Sequence, residues 1–149
     1  MIKFRIKSEK TSSSAAEKTI LFVCVENAGR SQMAEGFFNN RYAPEGYLAV
    51  SAGTRPLSQI NPLAVQAMSE AGIDISRQKS KLITEDMIKS STKSVNMGCL
   101  DKAECPMLFI NNVIDWNIED PKGKPIEKVR EIRDEIDRRV KEIAQSLQR

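Results

Sequence analysis

Histidine is absent from the 149 residues of this sequence, and its absence excludes several kinds of functional site. A Ser-His-Asp triad, a Cys-His pair and a metal centre with imidazole ligands all require histidine. Any catalytic acid or base must therefore be another side chain. Cysteine is also scarce, and the three cysteines cannot all pair with one another. In a reducing compartment, unpaired thiols are more readily catalytic or redox-active than structural.

A long apolar run is missing as well. A membrane-spanning helix needs about 20 consecutive apolar residues, and no run in this chain, with its mean hydropathy of −0.40, approaches that length. Lys3, Arg5 and Lys7 alternate with the first apolar residues, so the continuous apolar core of a signal peptide does not form. We therefore expect a cytoplasmic protein that does not bind membranes.

Basic charge is concentrated at the N-terminal end. The formal net charge is +3, and residues 1–18 contain five Lys or Arg against two Glu. The rest of the chain is therefore neutral overall, whereas nucleic-acid binding usually needs a basic patch on the folded body. We expect no nucleic-acid partner.

The first 18 residues are predicted to be an extension of a single domain. Residues 8–18 are small and polar, a composition typical of flexible linkers. Residues 2–7 alternate between apolar and basic side chains, which fits an edge strand as well as a flexible tail. Residues 19–149 are predicted to form one domain, because a chain of this length can bury one core without disulfides or metals.

Strands and helices are predicted to alternate along this domain. Residues 19–25 are an apolar run without alternation, as expected for a central strand covered on both faces. The other predicted strands are 47–51, 94–97 and 113–116, and the predicted helices are 30–42, 61–72 and 126–147. This order indicates an α/β fold with ligands at the carboxyl ends of parallel strands. We predict a three-layer α/β/α domain around a four-stranded parallel sheet, to which the N-terminal segment could add a strand.

The segment between the first strand and the first helix carries the clearest chemical signal. Cys24 ends the strand and Arg30 begins the helix, with a loop of five residues between them. The loop residues are Val25, Glu26, Asn27, Ala28 and Gly29. Such a loop can turn its backbone N–H groups inward, and the helix N-terminus adds positive potential. Together they would hold a tetrahedral oxyanion.

Arg30 and Ser31 complete the predicted anion site, which spans residues 25–31. A guanidinium can hold two oxygens of an oxyanion, and its charge lowers the pKa of a nearby thiol. We therefore predict that Cys24 is a nucleophile, although a buried and inert thiol is the competing interpretation. A carboxylate would repel an anion, so we expect the side chain of Glu26 to face solvent.

The segment from Cys24 to Glu35, CVENAGRSQMAE, resembles the phosphate loop and first helix of the low-molecular-weight protein tyrosine phosphatase superfamily. Residues 51–54, SAGT, resemble the second-strand signature of that superfamily. Asn61 and Pro62, together with residues 72–76, GIDIS, are similar to its arsenate reductase branch. The resemblance covers about residues 19–147. It implies the phosphatase fold and, within it, an arsenate reductase of the thioredoxin-coupled type.

A carboxylic acid should complete the chemistry, because an oxygen expelled by thiolate attack leaves far more easily when it is protonated. Asp120 precedes Pro121 after the last predicted strand, and this place matches the general acid of the superfamily. Glu119 is the alternative acid. An ordinary turn is the non-catalytic interpretation of an Asp before a Pro.

Cys99 and Cys105 follow the third predicted strand, at the same end of the sheet as Cys24. Reducing arsenate to arsenite takes two electrons, which a pair of thiols supplies by forming a disulfide. In the mechanism that the resemblance implies, Cys24 attacks arsenate, Cys99 attacks the adduct and releases arsenite, and Cys105 attacks the Cys24–Cys99 disulfide. Thioredoxin or a similar reductant would then reduce the Cys99–Cys105 disulfide. Two incidental buried thiols are the alternative, since a zinc site would need more ligands.

Two other functions use the same anion site. A low-molecular-weight tyrosine phosphatase would use Cys24, Arg30 and Asp120 to hydrolyse phosphotyrosine or aryl phosphates through a phosphocysteine intermediate. A non-catalytic oxyanion or redox sensor would only bind phosphate or report oxidation. Phosphotyrosine needs an aromatic-lined slot, but Lys122 and Gly123 follow the Asp-Pro pair. This favours arsenate, with phosphatase activity as a side reaction.

The resemblance also implies a monovalent cation near the phosphate loop. Some arsenate reductases hold such an ion, and Asn27, Glu35, Ser51 and Asp86 look like the corresponding positions. Potassium is therefore a candidate ion, while the predicted chemistry requires no other cofactor. We expect the protein to be a monomer.

Overall fold

A parallel sheet of four strands lies at the centre of the computed structural model, which describes residues 18–98 and 113–148. The strands are β1 Lys18–Cys24, β2 Tyr47–Gly53, β3 Ser91–Asn96 and β4 Ile114–Asp115, in the order β2-β1-β3-β4. In the register of the sheet, Cys24 pairs with Gly53 of β2 and Val23 pairs with Asn96 of β3. The carboxyl ends of β1, β2 and β3 therefore meet at one edge.

The helices cover the two faces of this sheet unequally. In the described ranges, the α-helices are α1 Arg30–Phe37, α2 Pro62–Glu70, α3 Glu85–Ser90 and α4 Ile126–Ser146. α1 continues into a turn of π-helix, Phe38–Tyr42. Residues of α1, α2 and α4 share one core cluster on one face of the sheet, whereas α3 packs on the other face. The predicted three-layer arrangement is confirmed.

The side chains of β1 alternate between the two faces, as the pleat of a strand requires. Ile20 and Phe22 pack with α1, α2 and α4, and the ring of Phe22 lies 5.6 Å from the ring of Trp116 between centroids. Leu21 and Val23 pack on the opposite face with α3. Because β1 is covered on both sides, its end is held firmly, and Cys24 is the residue at that end.

Several helix boundaries follow from local chemistry. Asn61 caps α2 by accepting a hydrogen bond from the backbone N–H of Leu63 at 2.9 Å, and Pro62 occupies the first turn, where its missing N–H costs nothing. α4 buries an apolar stripe that includes Val129, Ile136 and Val140. Its opposite face carries the charges.

Some predicted elements differ from the structure. α3 was not predicted, because a six-residue helix with one buried side chain, Ile88, has too little apolar pattern to be recognised. The third strand begins at Ser91, earlier than predicted, since pairing with β1 extends along polar residues. Residues 1–17 of the predicted N-terminal extension lie outside the described residues. Its last residue, Lys18, begins β1. The choice between a tail and an edge strand stays a prediction.

The helices are short or polar relative to the apolar core of a membrane. Within residues 18–98 and 113–148, none is both long enough and apolar enough to cross one.

Candidate active site

The loop between β1 and α1 wraps around the sulfur of Cys24. Cys24 is only 3% exposed, and its Sγ accepts a hydrogen bond from the backbone N–H of Asn27 at 3.2 Å. The hydroxyl oxygen of Ser31 lies 2.9 Å from the same sulfur. In the described part of the chain, no side chain caps α1 at Gly29, so the helix presents the N–H groups of its first turn to the loop. Donors directed at a sulfur in this way stabilise a thiolate.

Asn27 fixes the shape of this loop from within. Its φ of 49° is left-handed, a conformation that Asn tolerates better than most residues. The side-chain Nδ2 donates to Ser31 Oγ at 2.7 Å, and Oδ1 accepts from the backbone N–H of Lys81 at 2.8 Å. The backbone carbonyl of Asn27 accepts from Gln32 Nε2 at 2.9 Å and Ser80 Oγ at 2.7 Å. The loop is therefore held in one conformation before any anion binds.

Arg30 is buried and points across the ends of the strands. The side chain is 7% exposed. Its Nη1 donates to the carbonyl of Ile118 at 2.8 Å and, at 3.4 Å, to that of Met97. A guanidinium anchored by carbonyl groups keeps its charge in a fixed position beside Cys24. Arg30 thus lies at the same cavity as Cys24, and its anion-binding role stays a prediction.

Asp120 faces Arg30 from the opposite wall. Its Oδ2 lies 3.4 Å from Arg30 Nη2, and its Oδ1 accepts from the backbone N–H of Lys122 at 3.0 Å. The competing acid, Glu119, instead pairs with Lys124 at 3.6 Å and Lys128 at 3.2 Å. Hydrogen bonds to Glu119 and Glu131 raise the pKa of Lys128. Of the two candidate acids, the geometry favours Asp120.

A cavity of about 280 Å³ lies between these two walls. It is lined by Cys24, Val25, Glu26, Ala28, Gly29, Arg30, Asp120 and Lys122. Asn27 and Ser31 are fully buried behind the lining and shape it through their hydrogen bonds. The cavity thus combines a thiol, inward-facing backbone, a guanidinium and a carboxyl group, which suits nucleophilic attack on a bound oxyanion.

Glu26 faces solvent only in part. Its side chain is 31% exposed and lines the cavity, where Lys122 Nζ donates a hydrogen bond to Glu26 Oε2 at 2.9 Å. The hydrogen bond and the charge of Glu26 raise the pKa of Lys122. The expectation of a solvent-facing side chain is therefore met in part, and the repulsion between this carboxylate and an anion is offset by an ammonium group from a residue 96 positions away.

Comparison with known proteins identifies the family to which this site belongs. Residues 19–149 match the family described as low molecular weight phosphotyrosine protein phosphatase. The chain belongs to this family. An arsenate reductase of Staphylococcus aureus strain Newman is 40% identical to it over 121 residues, which are 80% of this chain and 91% of that protein.

This member of the phosphatase family is similar in structure to both a reductase and a phosphatase. A structure described as an arsenate reductase in the phosphate binding state is 32% identical with a TM-score of 0.77, over 87% of this chain and 98% of that chain. The YwlE arginine phosphatase from Geobacillus stearothermophilus is 28% identical with a TM-score of 0.78, over 88% of this chain and 93% of that chain. The fold thus supports two reaction types.

The monovalent cation site stays a prediction, and the structure shows other partners at several of the residues predicted to form it. The carboxylate of Glu35 accepts a hydrogen bond from Ser51 Oγ at 2.6 Å, and the same oxygen lies 3.7 Å from Lys81 Nζ. The ammonium of Lys81 already supplies a positive charge there. Both ends of the Asn27 side chain are engaged, and Asp86 is exposed on α3. Across the described ranges, no group of three or more Cys, Asp or Glu residues is arranged to hold a metal ion.

Cys99 and Cys105 lie outside the described residues. The chain reaches them through Gly98, whose φ is 107° and where a Cβ would come within 2.8 Å of the Cα of Asn117. Asn117 directly precedes Ile118, the residue whose carbonyl binds Arg30. Gly98, the last described residue before this segment, therefore lies beside the anion site of this phosphatase family member. Their roles stay a prediction.

Several residues of the site were not found from the sequence. Lys122 pairs with Glu26, and Lys81, Ser80 and Gln32 brace Asn27. Lys122, Lys81 and Ser80 contact residues that are distant in the sequence, and Gln32 binds a backbone carbonyl. Neither kind of contact leaves a motif in the sequence. Only Gln32, a fully buried polar residue between two buried positions of α1, offered a weak signal.

Proposed function

We propose that this protein reduces arsenate to arsenite, with Cys24 as the nucleophile. The observation that carries the proposal is the cavity in which the Cys24 sulfur, the Arg30 guanidinium and the Asp120 carboxyl group converge. The arsenate reductases to which the chain is similar support the same conclusion. Arsenate and phosphate have the same tetrahedral shape and charge, so the phosphate loop would bind either.

The first step uses only residues of the described site. Arsenate binds against the backbone of residues 25–31 and the guanidinium of Arg30. The thiolate of Cys24 attacks arsenic, an As–S bond forms, and one As–O bond breaks. Asp120 donates a proton to the departing oxygen, which leaves as water.

The later steps use the remaining two thiols. The thiolate of Cys99 attacks the sulfur of Cys24, so that an S–S bond forms and the electron pair of the As–S bond stays on arsenic. Arsenic is reduced from As(V) to As(III) and leaves as arsenite, while two cysteines are oxidised. Cys105 then attacks Cys99, which returns Cys24 to its thiolate form. The Cys99–Cys105 disulfide is reduced by thioredoxin or a similar dithiol protein in the cytoplasm, and the enzyme acts as a monomer.

A phosphatase reaction at the same site is the second candidate. A second cavity of about 420 Å³ adjoins the first and shares Glu26, Asp120 and Lys122 with it. Leu57 and Ile60 provide apolar lining, and no aromatic residue is found among the described residues that line it. A phosphotyrosine ring would therefore have no aromatic partner for stacking. Aryl phosphate hydrolysis is accordingly a side reaction, in which water attacks phosphocysteine.

The test separates the two reactions in one set of variants. Arsenate-dependent NADPH consumption is measured with thioredoxin and thioredoxin reductase for the wild type, Cys99→Ser and Cys105→Ser. Hydrolysis of an aryl phosphate is measured in parallel. We expect both variants to lose arsenate turnover and to retain hydrolysis. A wild type that shows only hydrolysis would identify the protein as a phosphatase.

A further inference from the structure

The charge balance of the anion cavity depends on a single residue that the proposed chemistry does not use. Besides Cys24, four residues with ionisable side chains line the cavity, the acids Glu26 and Asp120 and the bases Arg30 and Lys122. Without Lys122, the acids would outnumber the bases. Such a lining would repel arsenate or phosphate, which carry up to two negative charges near neutral pH.

Lys122 is placed to cancel the charge of Glu26 in particular. Its ammonium donates to Glu26 Oε2 at 2.9 Å, whereas Asp120 has its own partner in Arg30 at 3.4 Å. Glu26 and Lys122 line both the anion cavity and the adjoining larger cavity. The ion pair therefore lies at the boundary between the two cavities.

The same ion pair connects the two walls of the site. Glu26 belongs to the phosphate loop, and its backbone carbonyl accepts from the N–H of Leu57 at 3.0 Å, so its position is fixed. Lys122 lies two residues beyond Asp120, and its own N–H binds the Asp120 carboxylate at 3.0 Å. Both side chains retain solvent contact, at 63% exposure for Lys122 and 31% for Glu26. Exposed ion pairs contribute little to folding stability, which leaves a role in binding.

We propose that Lys122 is an anion-binding residue of the site, whose ammonium cancels the carboxylate of Glu26 and so permits a dianionic oxyanion to bind. The inference rests on the proposed function only in taking a tetrahedral oxyanion as the ligand. It concerns binding and is independent of the thiol relay.

The experiment compares the affinity of the reduced protein for inorganic phosphate by isothermal titration calorimetry. The variants are Lys122→Met, Glu26→Gln, the double variant, and Lys124→Met as a matched control. Lys124 lies on the same segment and pairs with Glu119 at 3.6 Å, away from the cavity lining. Each substitution removes one charge while keeping a side chain of similar length.

The expected changes have opposite signs. Lys122→Met should weaken phosphate binding by about three- to tenfold, because Glu26 is left uncompensated. Glu26→Gln should strengthen binding by about two- to fivefold, and the double variant should lie within about twofold of the wild type. Both single effects should shrink when salt is raised from about 10 mM to about 300 mM. Lys124→Met should leave the dissociation constant unchanged.

A purely structural ion pair would behave differently. In that case both single substitutions would weaken binding, and the double variant would not recover. That result, or a Lys122→Met protein with unchanged affinity, would overturn the proposal. Melting temperatures of all variants identify any loss of folding. If arsenate is not reduced but phosphate affinities follow the expected pattern, the proposed function fails while the role of Lys122 stands.

Discussion

The two walls of the anion cavity are constructed in opposite ways. On the phosphate-loop wall, Cys24, Asn27 and Arg30 are 3%, 0% and 7% exposed. On the acid wall, Asp120 is 55% exposed and Lys122 is 63% exposed. The first wall is held by buried hydrogen bonds to backbone groups, and the second by ion pairs that solvent screens.

The difference corresponds to two catalytic tasks. A group that stabilises an oxyanion is most effective when it is fixed before the substrate arrives, since no reorganisation is then needed. A proton donor must follow the oxygen as it departs, and an exposed carboxyl group has freedom to do so. We infer that the buried wall binds and attacks, whereas the exposed wall assists departure. Variants of the two walls should therefore fail in different ways.

The largest effect is expected on the buried wall, at the nucleophile itself. Cys24→Ser should abolish both arsenate reduction and aryl phosphate hydrolysis, a loss of at least about 10³-fold, because a serine hydroxyl is not ionised at neutral pH. Phosphate binding should persist, since the loop and Arg30 are unchanged. Turnover of both substrates and phosphate titration are the measurements. Appreciable residual turnover would remove Cys24 from the nucleophile role.

The next largest effect is expected on the exposed wall. Asp120→Asn removes the proton donor and should lower kcat by about 10²- to 10⁴-fold, the usual contribution of general acid catalysis. The affinity for phosphate should be kept or improved, because one negative charge beside the anion is lost. Glu119→Gln is the matched control, since Glu119 pairs with Lys124 and Lys128. A larger loss in Glu119→Gln than in Asp120→Asn would reverse the assignment of the acid.

Substituting either of two glycines would push on one of the two walls, because an added Cβ would meet neighbouring atoms. A Cβ at Gly53 would lie 2.4 Å from the carbonyl oxygen of Val25 and 2.8 Å from that of Cys24, so Gly53→Ala must move the phosphate loop. A Cβ at Gly29 would lie 3.0 Å from the ring of Pro121 on the exposed wall. We expect Gly53→Ala to cost about 1–3 kcal/mol of stability, as overpacking of a close-packed site usually does.

The two glycine variants should also differ in function. Gly53→Ala should weaken phosphate binding by at least about tenfold, since the displaced loop loses its fixed donors. Gly29→Ala should change binding by less than about threefold and act mainly on kcat, because its Cβ would meet only the Pro121 side chain, at 3.0 Å, and no backbone atom. Chemical denaturation and phosphate titration measure the two effects. Equal losses of affinity would mean that the walls are equally rigid.

The sequence was sufficient to predict the buried wall because its signals are local. Cys24, Arg30 and Ser31 lie within eight consecutive residues. At a strand-to-helix turn, this spacing indicates an anion-binding loop. Asp120 was predicted from its place after the last strand together with the family resemblance. Neither prediction required knowledge of a contact between distant residues.

The parts that were missed depend on the tertiary structure. The partner of Glu26 is 96 residues away, and no composition or periodicity connects the two positions. The same limitation applies to Lys81, whose backbone N–H supports Asn27 and whose ammonium approaches Glu35. The short helix α3 carries one buried residue, Ile88, and its periodicity was too weak to detect.

The smallest effect is expected from removal of potassium, which tests whether the buried wall needs an external ion. Lys81 Nζ lies 3.7 Å from Glu35 Oε1, so the carboxylate under the phosphate loop already has a cationic partner. A potassium ion at the same carboxylate would be repelled by that ammonium. Replacing potassium with a bulky organic cation at constant ionic strength should therefore change phosphate affinity and arsenate turnover by less than about twofold. A larger stimulation by potassium would show that Lys81 yields its place beside Glu35 to the ion.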